Sequence, residues 1–359
     1  MNLERLHLDK TLLYALLAMA AISLFVVYSA SARDMDATLG HLLRLCLGFT
    51  VLLVVAQIRP EFFERWSPYI FIAGMLLLVA VLALGVIGKG AQRWLDLGVL
   101  RFQPAEIMKI AVPMMLAWYL ARKNLPPSLP RLAAAFLMMA VPAFMIIKQP
   151  DLGTALLVFG AGVFVLFLGG MQWRVILSLL AIVAVAAPFA WSHLHDYQRQ
   201  RIFTLFDPEA DPLGTGYHTI QSMIAVGSGG IYGKGWLNSS QAHLDYLPES
   251  STDFIFAVFA EEFGLIGSLL LVAIYALIVA RGMLIAYLAK DSYTRLLAGS
   301  LSLTFFLYFF VNMGMVTGIL PIVGIPLPIL SYGGTSIVTL MAAFGILMSI
   351  QTHRKIVEY

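Results

Sequence analysis

The chain is 359 residues long, 60% hydrophobic and only 12% charged, with a formal net charge of +3. Ordinary soluble domains carry about 25% charged residues, so this composition excludes that class. The small basic excess is too weak to indicate a nucleic-acid partner and is usual on the cytoplasmic loops of membrane proteins.

The apolar residues come in blocks of bilayer length, since a helix rising about 1.5 Å per residue needs about 20 of them to cross. The first block, TLLYALLAMAAISLFVVYS, follows Arg5 and Lys10, and Ala30-Ser31-Ala32 resembles a signal-peptidase site. Its apolar core exceeds the roughly 7–15 residues of a signal peptide, and further spans follow, so it reads as an uncleaved first span. Hydropathy places the spans at about 11–30, 40–58, 68–87, 104–121, 132–148, 153–169, 173–191, 254–280, 294–317 and 335–351. The fold expected is an all-α polytopic membrane protein of about ten helices. It forms one membrane domain over residues 1–359, with one long extracytoplasmic loop at 192–253 carrying short amphipathic helices. With both termini cytoplasmic, most of the 23 Lys and Arg fall in short inner loops and tails, as the positive-inside rule requires. Cys46 is the only cysteine, which rules out an internal disulfide.

The basic residues that break the rule are grouped. Lys89, Arg93 and Arg101 lie in one outward segment, GKGAQRWLDLGVLRFQPAEIMK, which ends at Lys109 inside the next span. Arg199, Arg201 and Lys234 lie in the long loop, which also holds an amphipathic stretch, His218–Val226. Ile220, Met223 and Ile224 give that stretch an apolar face at helical spacing. Outward cations have no topological use, so they need internal partners or a ligand; ion pairing with outward acids such as Asp96, Glu106 and Asp151 is the plainer account. Lys148 and Asp151, three apart, can pair around a turn, and Glu106 and Lys109 invite the same reading. Arg101, Lys109 and Lys148 together would instead make a cationic surface suited to a phosphate or diphosphate.

Four carboxylates mark the start of the eighth span, in PESSTDFIFAVFAEEFG: Glu249, Asp253, Glu261 and Glu262. With a helix starting near Thr252, Asp253 sits in its first turn, where the dipole favours a carboxylate, so a helix-starting role competes with a chemical one. A glycosidase-type pair of Asp253 with Glu261 fails on geometry: eight residues of helix separate them by about 12 Å, against the roughly 5–9.5 Å such pairs need. Glu261 and Glu262 are therefore expected to bond polar groups inside the bundle. The run Pro321–Pro328 cannot be helical, and with Leu330–Ser336 it is expected to fold back beside the outer loops and shape a cavity. No metal-ligand spacing, P-loop or dinucleotide fingerprint is present; His193 and His195 lack companions.

Five long stretches in order resemble the SEDS family (shape, elongation, division and sporulation proteins): AQRWLDLGVLRFQPAEIMKIA, KQPDLGTALL, DPLGTGYHTIQSMIAVGSGGIYGKGW, YLPESSTDFIFAVFAEEFG and GILPIVGIPLPILSYGGTS. QRWLDLG and HLDYLPE resemble its elongation (RodA) branch, and Ala105 departs from a serine common there. The resemblance implies a peptidoglycan glycosyltransferase that polymerises lipid II, a disaccharide-pentapeptide on undecaprenyl diphosphate, at the outer face of the bacterial cytoplasmic membrane during elongation. It puts the family's essential loop aspartate at Asp253 and further functional positions at Trp94, Arg101, Gln103, Glu106, Lys109, Asp151, Ser331, Tyr332, Gly333 and Gly334. The chemistry fits one base and a basic pocket, since the acceptor hydroxyl must lose a proton while a diphosphate leaves without needing an acid. Asp253 is then the base, Arg101, Lys109 and Lys148 face the diphosphate, and Asp151 completes that site. A divalent cation, Mg or Mn, would assist there, although no spacing defines its ligands. The partners implied are a class B penicillin-binding protein, the elongation transpeptidase, and other elongation-complex proteins. The alternatives are a flippase for the same lipid, which would carry ionisable groups at the bilayer midplane, and a non-catalytic scaffold.

Overall fold

In hydrocarbon every backbone N–H and C=O must be satisfied within the protein, which makes the helix the default for blocks this apolar. The computed structural model describes residues 7–88, 91–96, 101–193, 199, 203–210, 216–244, 246–247 and 249–353. Its long helices are α1 (Lys10–Ala30), α2 (Met35–Ala56), α3 (Pro60–Leu84), α4 (Pro104–Ala121), α5 (Leu129–Lys148), α6 (Leu152–Leu168) and α7 (Trp173–His193). Two short helices, α8 (Tyr217–Ser228) and α9 (Ser240–His243), precede α10 (Ile255–Leu288), α11 (Ser292–Val316) and α12 (Thr335–Thr352). Seven of these, α1, α2, α3, α5, α10, α11 and α12, are long and apolar enough to cross a membrane; α6 and α7 hold shorter apolar runs. The tenth, α4, carries Glu106 and Lys109 in an otherwise apolar helix.

The helices follow the expected spans but often overrun them. α3 begins at Pro60, where proline's fixed φ suits a first helical position, and it tolerates Pro68 inside. α10 runs on to Leu288. Hydropathy marks only the apolar part of a span, while the helix continues into its polar flanks. Aspartates cap several starts: the side chains of Asp9, Asp34, Asp151 and Asp291 accept from first-turn N–H groups of α1, α2, α6 and α11. Asp9 also pairs with Arg281 at 2.6 Å, tying α1 to α10. α11 is buried along its length, packed against α4, α6 and α10, and α12 packs on α2. Leucines such as Leu43, Leu76 and Leu270 are 63–70% exposed on the outside of the bundle, as lipid-facing residues should be.

The all-α expectation misses a small antiparallel meander ahead of α4, made of β1 (Val86–Gly88), β2 (Ala91–Asp96) and β3 (Arg101–Phe102). Gln92 Nε2 anchors it to the Gly85 carbonyl at the end of α3 (2.9 Å). The apolar face expected for α8 is also corrected. Its buried residues are Thr219, Ser222 and Ala225, with Ser222 Oγ donating to Val316 O at 3.0 Å, while Met223 and Ile224 are exposed. Small side chains let α8 lie close on α10 and α11, and the larger apolar ones face away. His195 lies outside the described residues, as does the side chain of His193.

α10 breaks at Gly264, whose φ of 63° with ψ of −161° only glycine adopts easily. A Cβ there would also stand 2.4 Å from Gly233 N. The freed groups are taken by residues 230–235: Lys234 N and Gly235 N donate to Glu261 O and Glu262 O, and Leu265 N and Ile266 N donate to Gly230 O and Ile231 O. Glu261 and Glu262 bond polar groups inside the bundle, as expected. The fully buried Glu261 carboxylate accepts from Lys234 Nζ (2.6 Å), Ser239 Oγ (2.6 Å) and Ser240 Oγ (2.7 Å). Glu262 accepts from Ser29 Oγ of α1 and from Leu237 N.

Breaking a buried charge pair costs about 3–5 kcal/mol, so Glu261→Ala should lower the thermal midpoint of the purified protein and open residues 228–243 to protease. Lys234→Ala should lower it as well, because it leaves the fully buried Glu261 carboxylate without its counter-charge.

Candidate active site

A cavity of about 620 Å³ opens where six parts of the chain meet. The meander contributes Arg93 and Trp94; the start of α4 contributes Gln103, Glu106 and Lys109; the start of α6 contributes Asp151 and Thr154. Opposite them stand Glu249, Thr252 and Asp253 from the turn before α10, and residues 324–326 and 332–336 from the irregular segment before α12. Tyr308 of α11 also lines it.

Asp253 is half-buried. The helix begins at Ile255 and its N-cap is Phe254, so Asp253 precedes the helix and does not occupy the first turn. That correction removes the helix-starter reading. What fixes the turn is backbone bonding: Ser251 O accepts from Tyr332 N (2.8 Å), Thr252 O from Ser331 Oγ (2.6 Å) and Asp253 O from Asn312 Nδ2 (2.8 Å). Ser331 is buried and also accepts from Leu327 N at 2.7 Å, so it works behind the cavity wall. Gly324, at φ 71°, sits against the carboxylate; a Cβ there would be 3.4 Å from Asp253 Oδ2. His218 stacks on Phe254 at 5.9 Å, and burial holds its imidazole below the ordinary value despite Glu249 nearby.

The opposite wall is a chain of charge. Lys109 meets Glu106 at 2.6 Å, both are buried, and the ammonium lies 4.8 Å from the Tyr308 ring centroid. The three-residue spacing thus does give an ion pair, and the pair faces the cavity. Asp151 accepts from Gln103 Nε2 (2.8 Å) and Thr154 N (3.1 Å), with Arg93 Nε 3.9 Å away. Arg93 also donates to the carbonyls of Gln149 and Pro150. Lys148 is not brought here: it is exposed, with its ammonium 5.5 Å from the Phe144 ring centroid, and does not line the cavity. The turn at Gln149-Pro150 separates it from Asp151, so the expected grouping of Lys148 with Lys109 is corrected. Arg101 lies in β3, paired with Asp96, and its side chain falls outside those described. Sequence reading missed Arg93, Thr154 and Tyr308 as cavity residues, and Asn312, which is buried behind the Asp253 turn. Only Arg93 carried a signal, as an outward cation.

Among the described residues no group of three or more His, Cys, Asp or Glu side chains comes together to hold an ion. Asp151 is bonded to Gln103 and Thr154 N, and Glu106 Oε1 holds Lys109 while its Oε2 is buried without a partner.

The chain matches the family model described as FtsW/RodA/SpoVE cell-cycle protein over residues 9–356. It is 52% identical to the peptidoglycan glycosyltransferase MrdB of Escherichia coli K12, over 99% of this chain and 96% of that one. It is 36% identical to the peptidoglycan glycosyltransferase MrdB of Helicobacter pylori 26695, over 99% and 92%. Among solved structures it resembles a chain of a peptidoglycan synthase complex, solved for the structural coordination of polymerization and crosslinking, at a TM-score of 0.85 and 29% identity over 97% and 98% of the two chains. The crystal structure of the rod shape determining protein RodA of Thermus thermophilus is similar at a TM-score of 0.74 and 26% identity, again over 97% and 98%.

Glu106→Gln should leave the Lys109 ammonium buried without its counter-charge, a loss of about 3–5 kcal/mol read as a lower thermal midpoint. Removing both charges, in Glu106→Gln with Lys109→Met, should recover most of that midpoint. Lys148→Ala should leave it unchanged.

Proposed function

The chain belongs to the FtsW/RodA/SpoVE family of cell-cycle proteins and is a multi-pass membrane protein with peptidoglycan glycosyltransferase activity, and we propose that it polymerises lipid II with Asp253 as the base. The observation that carries the reading is the single cavity in which Asp253 faces Lys109, Arg93 and the Asp151–Gln103 pair. Its volume suits a sugar-sized ligand, and its polar groups converge from opposite walls.

In this mechanism Asp253 accepts the proton of the acceptor sugar's 4-hydroxyl as that oxygen attacks the anomeric carbon of the donor. The new glycosidic bond forms as the bond to the diphosphate oxygen breaks, and the electron pair leaves with the diphosphate. The leaving group is stabilised as an anion, so the protein supplies cations and no general acid. Lys109 is the buried cation on the cavity wall and Arg93 the half-exposed one. Arg101, in β3 two residues ahead of Gln103, is the third cation of this reading. Lys148 has no part in this site. Asp151, held by Gln103, Thr154 N and Arg93, orients that wall and takes no proton. Trp94, Tyr332 and the Gly333–Gly334 backbone shape the rim where sugar rings would lie.

The membrane is the bacterial cytoplasmic membrane, with both termini inside; the cationic ends Arg59, Arg122, Arg131 and Arg295 support that orientation. The likeness to a chain of a peptidoglycan synthase complex supports a class B penicillin-binding protein as partner.

Purified protein with that partner, given labelled lipid II, should make polymer resolvable by gel. Asp253→Asn should reduce the rate by about 10²- to 10⁴-fold with its folding intact. Full polymer from Asp253→Asn would remove the base from this mechanism, and lipid translocation in liposomes without polymer would favour the flippase.

A further inference from the structure

We propose that Asn312 is a positioning residue for the reaction, its side-chain amide fixing the base Asp253 against the opposite wall of the cavity. The proposal rests on the reading of Asp253 as base. Asn312 lies in α11, fully buried, among Phe309, Val311, Met315 and Val316. Its Nδ2 donates twice, to Asp253 O at 2.8 Å and to Ile325 O at 2.7 Å. These two carbonyls belong to separate parts of the chain, one in the turn before α10 and one in the irregular segment before α12. On the cavity side the same two parts meet again, where Gly324, the neighbour of Ile325, sits against the Asp253 carboxylate. The amide therefore closes a short ring: Asp253 carbonyl, Asn312, Ile325 carbonyl, Gly324, Asp253 carboxylate.

The chemistry of the side chain is specific. Two carbonyls need two donors from one atom, which an amide NH₂ supplies and a hydroxyl or carboxylate cannot. The site gives the amide little in return for stability, since Asn312 Oδ1 is buried without a partner. A buried polar atom left unmatched costs free energy, and asparagine is a poor residue for a helix interior. An apolar residue of the same volume would suit this position better if packing alone mattered. Its value lies in the two bonds, because a displacement of about 1 Å in a reacting group can lower a rate about 10²-fold.

Three variants read this directly. Asn312→Leu and Asn312→Asp keep the branched shape and remove both donors; Asn312→Gln keeps them on a longer stem. Each would be purified with the partner, checked for its thermal midpoint, and assayed for polymerisation across lipid II concentrations alongside Asp253→Asn. The expected result is a kcat about 10- to 100-fold lower for Asn312→Leu and Asn312→Asp, KM within about 3-fold, and partial recovery of kcat in Asn312→Gln. Wild-type kcat in either donor-less variant that folds would overturn the proposal, as would a raised KM at unchanged kcat. Failure of both to fold would make the amide structural, and the proposal would fall. Polymer from Asp253→Asn would instead fail the base, whatever the Asn312 variants do; an inactive Asp253→Asn beside active Asn312 variants would fail only this inference.

Discussion

The structure turns on three consecutive carbonyls. Ser251, Thr252 and Asp253 each accept a hydrogen bond from a distant residue: Tyr332 N, Ser331 Oγ and Asn312 Nδ2. These bonds fix the turn that leads into α10, which begins at Ile255 with no side-chain cap at Phe254. Irregular backbone among membrane helices is stable only where its polar groups are matched, and here two irregular segments match each other. The turn before α10 supplies acceptors, while the segment before α12 supplies donors. Neither would keep its shape alone, and Asp253 stands where they meet.

The acids of the molecule divide by what holds their oxygens. Glu261 is saturated by Lys234, Ser239 and Ser240, and Asp151 by Gln103 and Thr154 N, while one oxygen of Glu106 carries Lys109. Bonds of this kind make each carboxylate a strut. Asp253 is also held through its backbone, where Asn312 Nδ2 donates to its carbonyl, and the residue lines the cavity. Opposed walls, one bearing the proposed base and one the cations, suit the proposed reaction, in which a proton goes one way and a diphosphate the other.

Much of this was legible in the sequence because the bilayer imposes a simple code. Apolar block length placed ten helices, and the proline run at 321–328 revealed a non-helical wall. What escaped depends on geometry finer than a block. Lys148 and Asp151 are three apart, yet the Gln149-Pro150 turn sends their side chains to different surroundings. α8 has apolar residues at helical spacing, but its buried face is the small one, since close approach to α10 and α11 outweighs hydrophobicity there. The strands are two to six residues long, too short for an alternating pattern to register. Asn312 is one polar residue in an apolar run, and only its partners reveal its purpose.

The same logic explains why the break at Gly264 matters so far from the cavity. Ile255–Phe263 forms a short piece of α10, buried throughout except for the half-buried Phe263. At one end it is held by the carbonyl clamp, and at the other by the bonds of residues 230–235 around Gly264. A helix is stiff along its axis because every turn is bonded to the next, so fixing both ends removes the remaining freedom to slide or tilt. A free upper half of α10 would carry the turn with it and shift Asp253 relative to the α4 wall. The buried Glu261 carboxylate and the glycine that permits the break therefore serve the cavity indirectly, by giving the residue at its edge a fixed base to stand on.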